Sequence, residues 1–108
     1  MIREICSVID SRKVISFYYR GDIRFVEPFC YGLHKSSGNE VLRGYQIKGF
    51  SEFGEPFGWK LYLVNEISKF VITDNNFRGD RKDYNPNDPM MKKIICRIEG
   101  EKPQNSLS

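Results

Sequence analysis

Apolar positions at the start of the chain recur at Ile2, Ile5, Cys6 and Ile9, the i, i+3, i+4, i+7 spacing of one helical face. The spacing predicts a helix over about residues 2–12, with Arg12 and Lys13 complementing the dipole at its end. The period then falls to two. "VISFYYR" at 14–20 is rich in β-branched and aromatic residues and predicts a strand. Gly21-Asp22 is a turn signal, so 23–34 is expected to pair back as a second strand. Pro28 lies within it and removes a ladder donor, which predicts an edge, a bulge or a bend. "HKSSGN" is a loop and "EVLRGYQIKGF" at 40–50 a third strand. "SEFGEPFG" at 51–58 is a loop by its two glycines and its proline. "WKLYLV" at 59–64 and "ISKFVI" at 67–72 are a fourth and a fifth strand, separated by Asn65-Glu66.

After Thr73 the pattern changes. "TDNNFRGDRKDYNPNDP" is polar and turn-rich, and "PMMKKIICRI" resumes apolar content. That segment reads as a short helix started by Pro89, or as a strand over "KIICRI". Asp88 could cap the helix, with Tyr84 as an apolar anchor. One helix and five short strands predict a mainly β fold. The expected form is a small five-stranded SH3-like or Sm-like barrel over about 14–73 with the helix across one end, an OB-type barrel being the alternative. A C-terminal extension over about 74–98 completes one domain of residues 1–98. A polar tail, 99–108, follows. Tyr84, Met90, Met91, Ile94, Ile95 and Ile98 are more apolar material than a frayed end needs, so the extension is expected to pack on the barrel and to offer a homodimer contact.

Composition narrows the function. At 108 residues the chain suits a single domain. A net charge of +3 permits contact with a polyanion without demanding it. Three widely spaced cysteines, Cys6, Cys30 and Cys96, without a CxxC pair predict free thiols in a reducing, cytoplasmic setting. The first residues lack the apolar core of a signal peptide, and no apolar run reaches the length of a membrane span, so no membrane partner is expected.

Helix, strand, "RFVEP" at 24–28, "LRGYQ" at 42–46 and "WKLYLVNEI" at 59–67 follow one another in an order that resembles the WYL domain, an Sm-like barrel of bacterial and phage proteins. The resemblance covers roughly residues 2–73. The family's Trp-Tyr-Leu falls at Glu40, Val41 and Leu42, where only Leu42 matches. Its "DRI" stands here as Asn65, Glu66 and Ile67, where only the isoleucine remains. The resemblance implies ligand sensing on a nucleic-acid or nucleotide ligand, in transcription regulation, phage defence or as an accessory to CRISPR systems and helicases. WYL domains commonly follow a helix-turn-helix segment. Without room for one, this chain is expected to be a free-standing version or to work through a protein partner.

The candidate chemistry lies on the third strand. Val41, Arg43, Tyr45 and Ile47 share one face, and Leu42, Gly44, Gln46 and Lys48 the other. Arg43 and Tyr45 together can grip a phosphate and stack a base, against the ordinary reading of a wet barrel strand. The WYL resemblance implies that Arg24 lines the same groove. The alternative is an Arg24–Glu27 pair fixing a corner, with a bulge near Pro28 deciding whether they meet. Arg24, Arg43 and Tyr45 are expected to converge, with Tyr18, Gln46 and Lys48 near the rim. Trp59, Leu61 and Leu63 are expected in the core.

The lone His34, near a loop, reads as a surface residue rather than a catalyst. The scattered Cys and Asp residues match neither zinc nor calcium spacing, so no metal is expected. The lack of a nucleophile–base pair, a phosphate loop or a dinucleotide fingerprint predicts a non-catalytic protein without a cofactor. The expected function is a regulatory or accessory module binding single-stranded nucleic acid or a nucleotide-like anion. The alternative is a protein-interaction adaptor using an exposed barrel edge.

Overall fold

The computed structural model describes residues 2–50 and 55–100. Parts of the loop expected at 51–58 and of the tail expected at 99–108 lie outside the described residues. Helix α1 spans Ile2–Ser11 and buries Ile5, Val8 and Ile9 completely or nearly so. It stops at Arg12, which takes the left-handed conformation (φ 58°) that more commonly falls to glycine after a helix. Strands β1 (Lys13–Tyr19), β2 (Asp22–His34), β3 (Glu40–Gly49), β4 (Gly58–Leu63), β5 (Ile67–Asn76) and β6 (Met91–Arg97) follow. A single 3-10 turn, Val64–Glu66, sits between β4 and β5 where Asn65-Glu66 predicted a break. The turn between β1 and β2 is Arg20-Gly21, one residue earlier than expected, with both residues at positive φ as a two-residue hairpin of type I′ requires.

All pairings are antiparallel, in the order β4-β3-β2-β1-β5, with β6 added to β2. The expected closure into a five-stranded barrel is not made, because no ladder joins β4 to β5 among the described residues. The segment at 91–97 is a strand, so the helical reading is corrected, and with it the capping role of Asp88. Asp88 instead organises a turn, accepting from the Met90 N–H at 3.0 Å while its carbonyl accepts from the Met91 N–H at 3.1 Å.

β2 organises the sheet. Its first half pairs β1 up to Val26, its second half pairs β6 from Cys30, and β3 runs along its other edge. Pro28 stands between the two partners, where an edge N–H has no strand to meet. A register shift follows it between Pro28 and Cys30, and this bulge reverses which residues face which side. Ile15, Phe17, Tyr19, Val26, Tyr31, Leu42 and Tyr62 pack with α1 into the main core. Gly44 is needed there, because a Cβ would come within 2.4 Å of a Val26 methyl carbon.

The opposite side of the sheet, the outer face, holds a second small core of Cys30, Val41 and Met91. Beside it the strap formed by residues 77–90 lies across part of the outer face. Phe77 and Tyr84 pack against Phe29, and Trp59 stacks with Tyr84 at a centroid distance of 5.7 Å. The Tyr84 hydroxyl donates to the carbonyl oxygen of Ile98 at 2.6 Å, and β6 pairs with β2, so the extension packs on the sheet as expected.

The expectation of free cysteines fails for two of the three. Cys6 on α1 and Cys96 on β6 form a disulfide across 90 residues of sequence, because the helix packs beside the last strand. Cys30 is free and buried, and burial with the added effect of Asp88 pushes its thiol up to about 11. At neutral pH it is therefore a protonated, inert core residue.

Candidate nucleic-acid interface

The structure divides the six expected site residues into three places. Arg24 and Gln46 lie inside. Arg24 is 5% exposed, donates to the Tyr19 carbonyl at 3.1 Å and to Gln46 Oε1 at 3.4 Å, and lies 5.3 Å from the Tyr19 ring centroid. No described carboxylate pairs with it, and its Nε has no acceptor. Gln46 also accepts from the Tyr62 hydroxyl at 2.7 Å and donates to the carbonyls of Phe50 and Pro56, so it clamps the β3–β4 connection. Burial pushes the Tyr62 hydroxyl well above its ordinary pKa, which keeps it a donor.

Arg43 and Tyr45 are on the outer face but beneath the strap. Arg43 makes a two-pronged pair with Asp88, Nε–Oδ2 2.7 Å and Nη2–Oδ1 3.2 Å. Tyr45 meets Trp59 edge to face and carries the Arg81 guanidinium 4.0 Å above its ring centroid. Arg81 in turn pairs with Glu27 through two bonds of 2.9 and 3.0 Å, which raises its pKa. Arg24 therefore does not meet Glu27. One points into the core and the other out to the strap. Arg24, Arg43 and Tyr45 do not converge on one groove, because Arg24 and Arg43 are on opposite sides of the sheet.

Tyr18 and Lys48 occupy the part of the outer face that the strap leaves open. Tyr18 pairs with Ile23, Ser16 with Phe25, and Phe25 with Lys48, so Tyr18, Ile23 and Phe25 stand on one face in neighbouring strands. Tyr18 is 41%, Ile23 43% and Val71 51% exposed. The Lys69 ammonium lies 5.5 Å from the Tyr18 ring centroid, and that of Lys48 5.4 Å from the Phe25 ring centroid. Neither lysine belongs to an ion pair among the described residues. Lys69 owes its position to a bulge, visible as its positive φ of 53° and the register shift between Ser16 and Tyr18.

Phe25 and Lys69 were missed by sequence reasoning. Phe25 had a signal in the alternation of β2, which puts it on the face of Ile23. Lys69 had none, because a bulge is not legible in "ISKFVI". His34 is the last residue of β2, and its Nδ1 accepts from the Ser36 N–H at 3.1 Å, which shapes the turn that follows. Among the described residues no group of three or more His, Cys, Asp or Glu side chains could hold a metal ion, and no helix is long and apolar enough to cross a membrane. Comparison with protein-family models, curated proteins and solved structures found no match.

Proposed function

We propose that this protein is a non-catalytic module that binds single-stranded nucleic acid, or a nucleotide, on the open half of its outer sheet face. One observation carries the reading. Two exposed or half-buried aromatic rings, Tyr18 and Phe25, stand on one face of neighbouring strands, each attended by a lysine without a carboxylate partner among the described residues. Rings that stack bases and ammonium groups that neutralise phosphates are the two parts of a sequence-tolerant single-strand site. A lysine over an exposed ring contributes only about 0.5–1 kcal/mol. A stacked base is worth ~1–3 kcal/mol, so a base displaces the lysine, whose charge then moves to the adjoining phosphate.

The sheet reads as an SH3-like or Sm-like barrel left open between β4 and β5, since β5 returns to β1 at the far end of the path. The WYL resemblance points to a regulator or accessory factor in transcription or phage defence. A second reading, the protein adaptor or homodimer, is favoured by edge strand β5, where Val71 and Ile72 are both exposed. Salt separates the readings. Short oligonucleotide binding measured by fluorescence anisotropy falls steeply between low and moderate salt if phosphates are held, while an apolar edge contact does not. Absence of any salt-sensitive binding passes the lead to the adaptor.

A further inference from the structure

A second concentration of charge lies at the other end of β1, five residues from Tyr18 or about 17 Å along an extended strand. There two segments distant in sequence, 11–13 and 76–77, meet in space. The Phe77 N–H donates to the Arg12 carbonyl at 3.0 Å, and Asn76 Nδ2 donates to the carbonyls of Ser11 and Arg12 at 3.1 and 3.2 Å. Lys13 Nζ donates to Asn76 Oδ1 at 3.3 Å. Residues 12–13 and 76–82 thus border a cavity of about 440 Å³ lined by Glu27 and residues 76–82. That size falls in the range of ordinary small-molecule sites, about 300–1,000 Å³.

The charges around it are unequal. Arg78, Arg81 and Lys82 line the cavity, and Arg12 and Lys13 adjoin its wall. Among the lining residues three cations face two carboxylates, Glu27 and Asp80, an excess of one positive charge to which Arg12 and Lys13 add at the wall. Glu27 is engaged by Arg81 and Asp80 by Arg78, which leaves Lys82, Arg12 and Lys13 without a carboxylate among the described residues. A second observation is independent of that count. Arg12 Nε is buried with no acceptor, and the guanidinium lies so close to Gly79 that a Cβ there would come within 2.5 Å of Nε. Gly79 has φ 84°, a conformation that favours glycine, and a Cβ there would also displace the Arg12 side chain. An uncompensated guanidinium is thereby held against the backbone that lines the cavity.

We propose that this cavity binds a phosphate-class anion, with Lys82 and Arg78 meeting its oxygens and Arg12 supplying positive potential across Gly79. The site is separate from the Tyr18 face and does not rest on the reading given to it. Inorganic phosphate, a nucleoside 5′-monophosphate, and a tetranucleotide with or without a 5′-phosphate distinguish the sources of the group. They are titrated into the full chain by calorimetry and amide NMR at constant ionic strength, with chloride as reference. Saturable binding is expected for phosphate-bearing probes, with amide shifts centred on residues 76–82. The Arg78→Ala/Lys82→Ala variant, altered only at side chains outside the core, weakens it about tenfold or more. Tightest binding of free phosphate assigns the site to a small anion, and preference for the 5′-phosphorylated strand assigns it to a nucleic-acid end; both sustain the proposal. It is overturned if phosphate acts no differently from chloride, or if the folded double variant binds as the wild type does.

Discussion

Arg43 and Asp88, 45 residues apart in sequence, meet through two parallel bonds of 2.7 and 3.2 Å that tie the strap to β3. Burial works to raise the Asp88 pKa, but the bonds from Arg43 and from the Met90 N–H outweigh it and hold the carboxyl below its usual value. A carboxyl depressed in the folded state gives its full stabilisation above the ordinary carboxylate value of about 3.9. That contribution is lost as pH falls through the lower folded value. Asp88→Asn is therefore expected to cost ~2–3 kcal/mol at neutral pH and less at pH 3, by urea midpoints. Equal losses at both pH values would show that the pair adds nothing as a charge.

The Cys6–Cys96 bridge closes a loop of about 90 residues. By chain entropy such a closure stabilises by up to ~4.5 kcal/mol. Intact protein expressed under oxidising conditions is expected to be two hydrogens lighter than its reduced form. Adding a reductant, or replacing Cys6 by Ser, should lower the melting temperature, whereas Cys30→Ser should leave the bridge intact. A chain in which all three thiols react with a maleimide after oxidising expression contradicts the bridge.

Arg24 carries a buried charge without a carboxylate partner among the described residues. Replacing such a group by an apolar one of similar length relieves desolvation and removes two hydrogen bonds, effects of opposite sign. Arg24→Met is therefore expected to change stability by no more than ~1 kcal/mol. Because Arg24 faces the core, oligonucleotide affinity should stay within about threefold of wild type. A large affinity loss with stability intact would return Arg24 to the ligand site.

Much of the fold was legible in the sequence. The helical spacing of Ile5 and Ile9 and the alternation of Ile15, Phe17 and Tyr19 each mark a buried face, and burial follows them. The turn residues Gly21 and Gly38 fall where strands reverse. What was not legible depends on contacts between distant segments. Cys6 and Cys96 carry no local sign of each other, and nothing around Asp88 announces Arg43. Arg43 and Tyr45 had the right chemistry for a ligand face, but sequence alternation reports a face and not what later covers it. The strap covers them and leaves Tyr18 and Lys48 open. Closure of a barrel is likewise a property of strand curvature, which short β-rich segments do not encode individually.

Fluorescence anisotropy of a short labelled single strand, compared between wild type, Tyr18→Ala and Lys48→Ala/Lys69→Ala at two salt concentrations, tests the central claim most directly. The account predicts salt-sensitive binding by the wild type. Tyr18→Ala should weaken it about fivefold to a hundredfold, the equivalent of losing one stacked base. The double lysine variant should weaken it and flatten the salt dependence by about two phosphate contacts. Arg43→Ala, beneath the strap, should act through stability alone. Unchanged binding by folded Tyr18→Ala and by the double lysine variant would contradict the account.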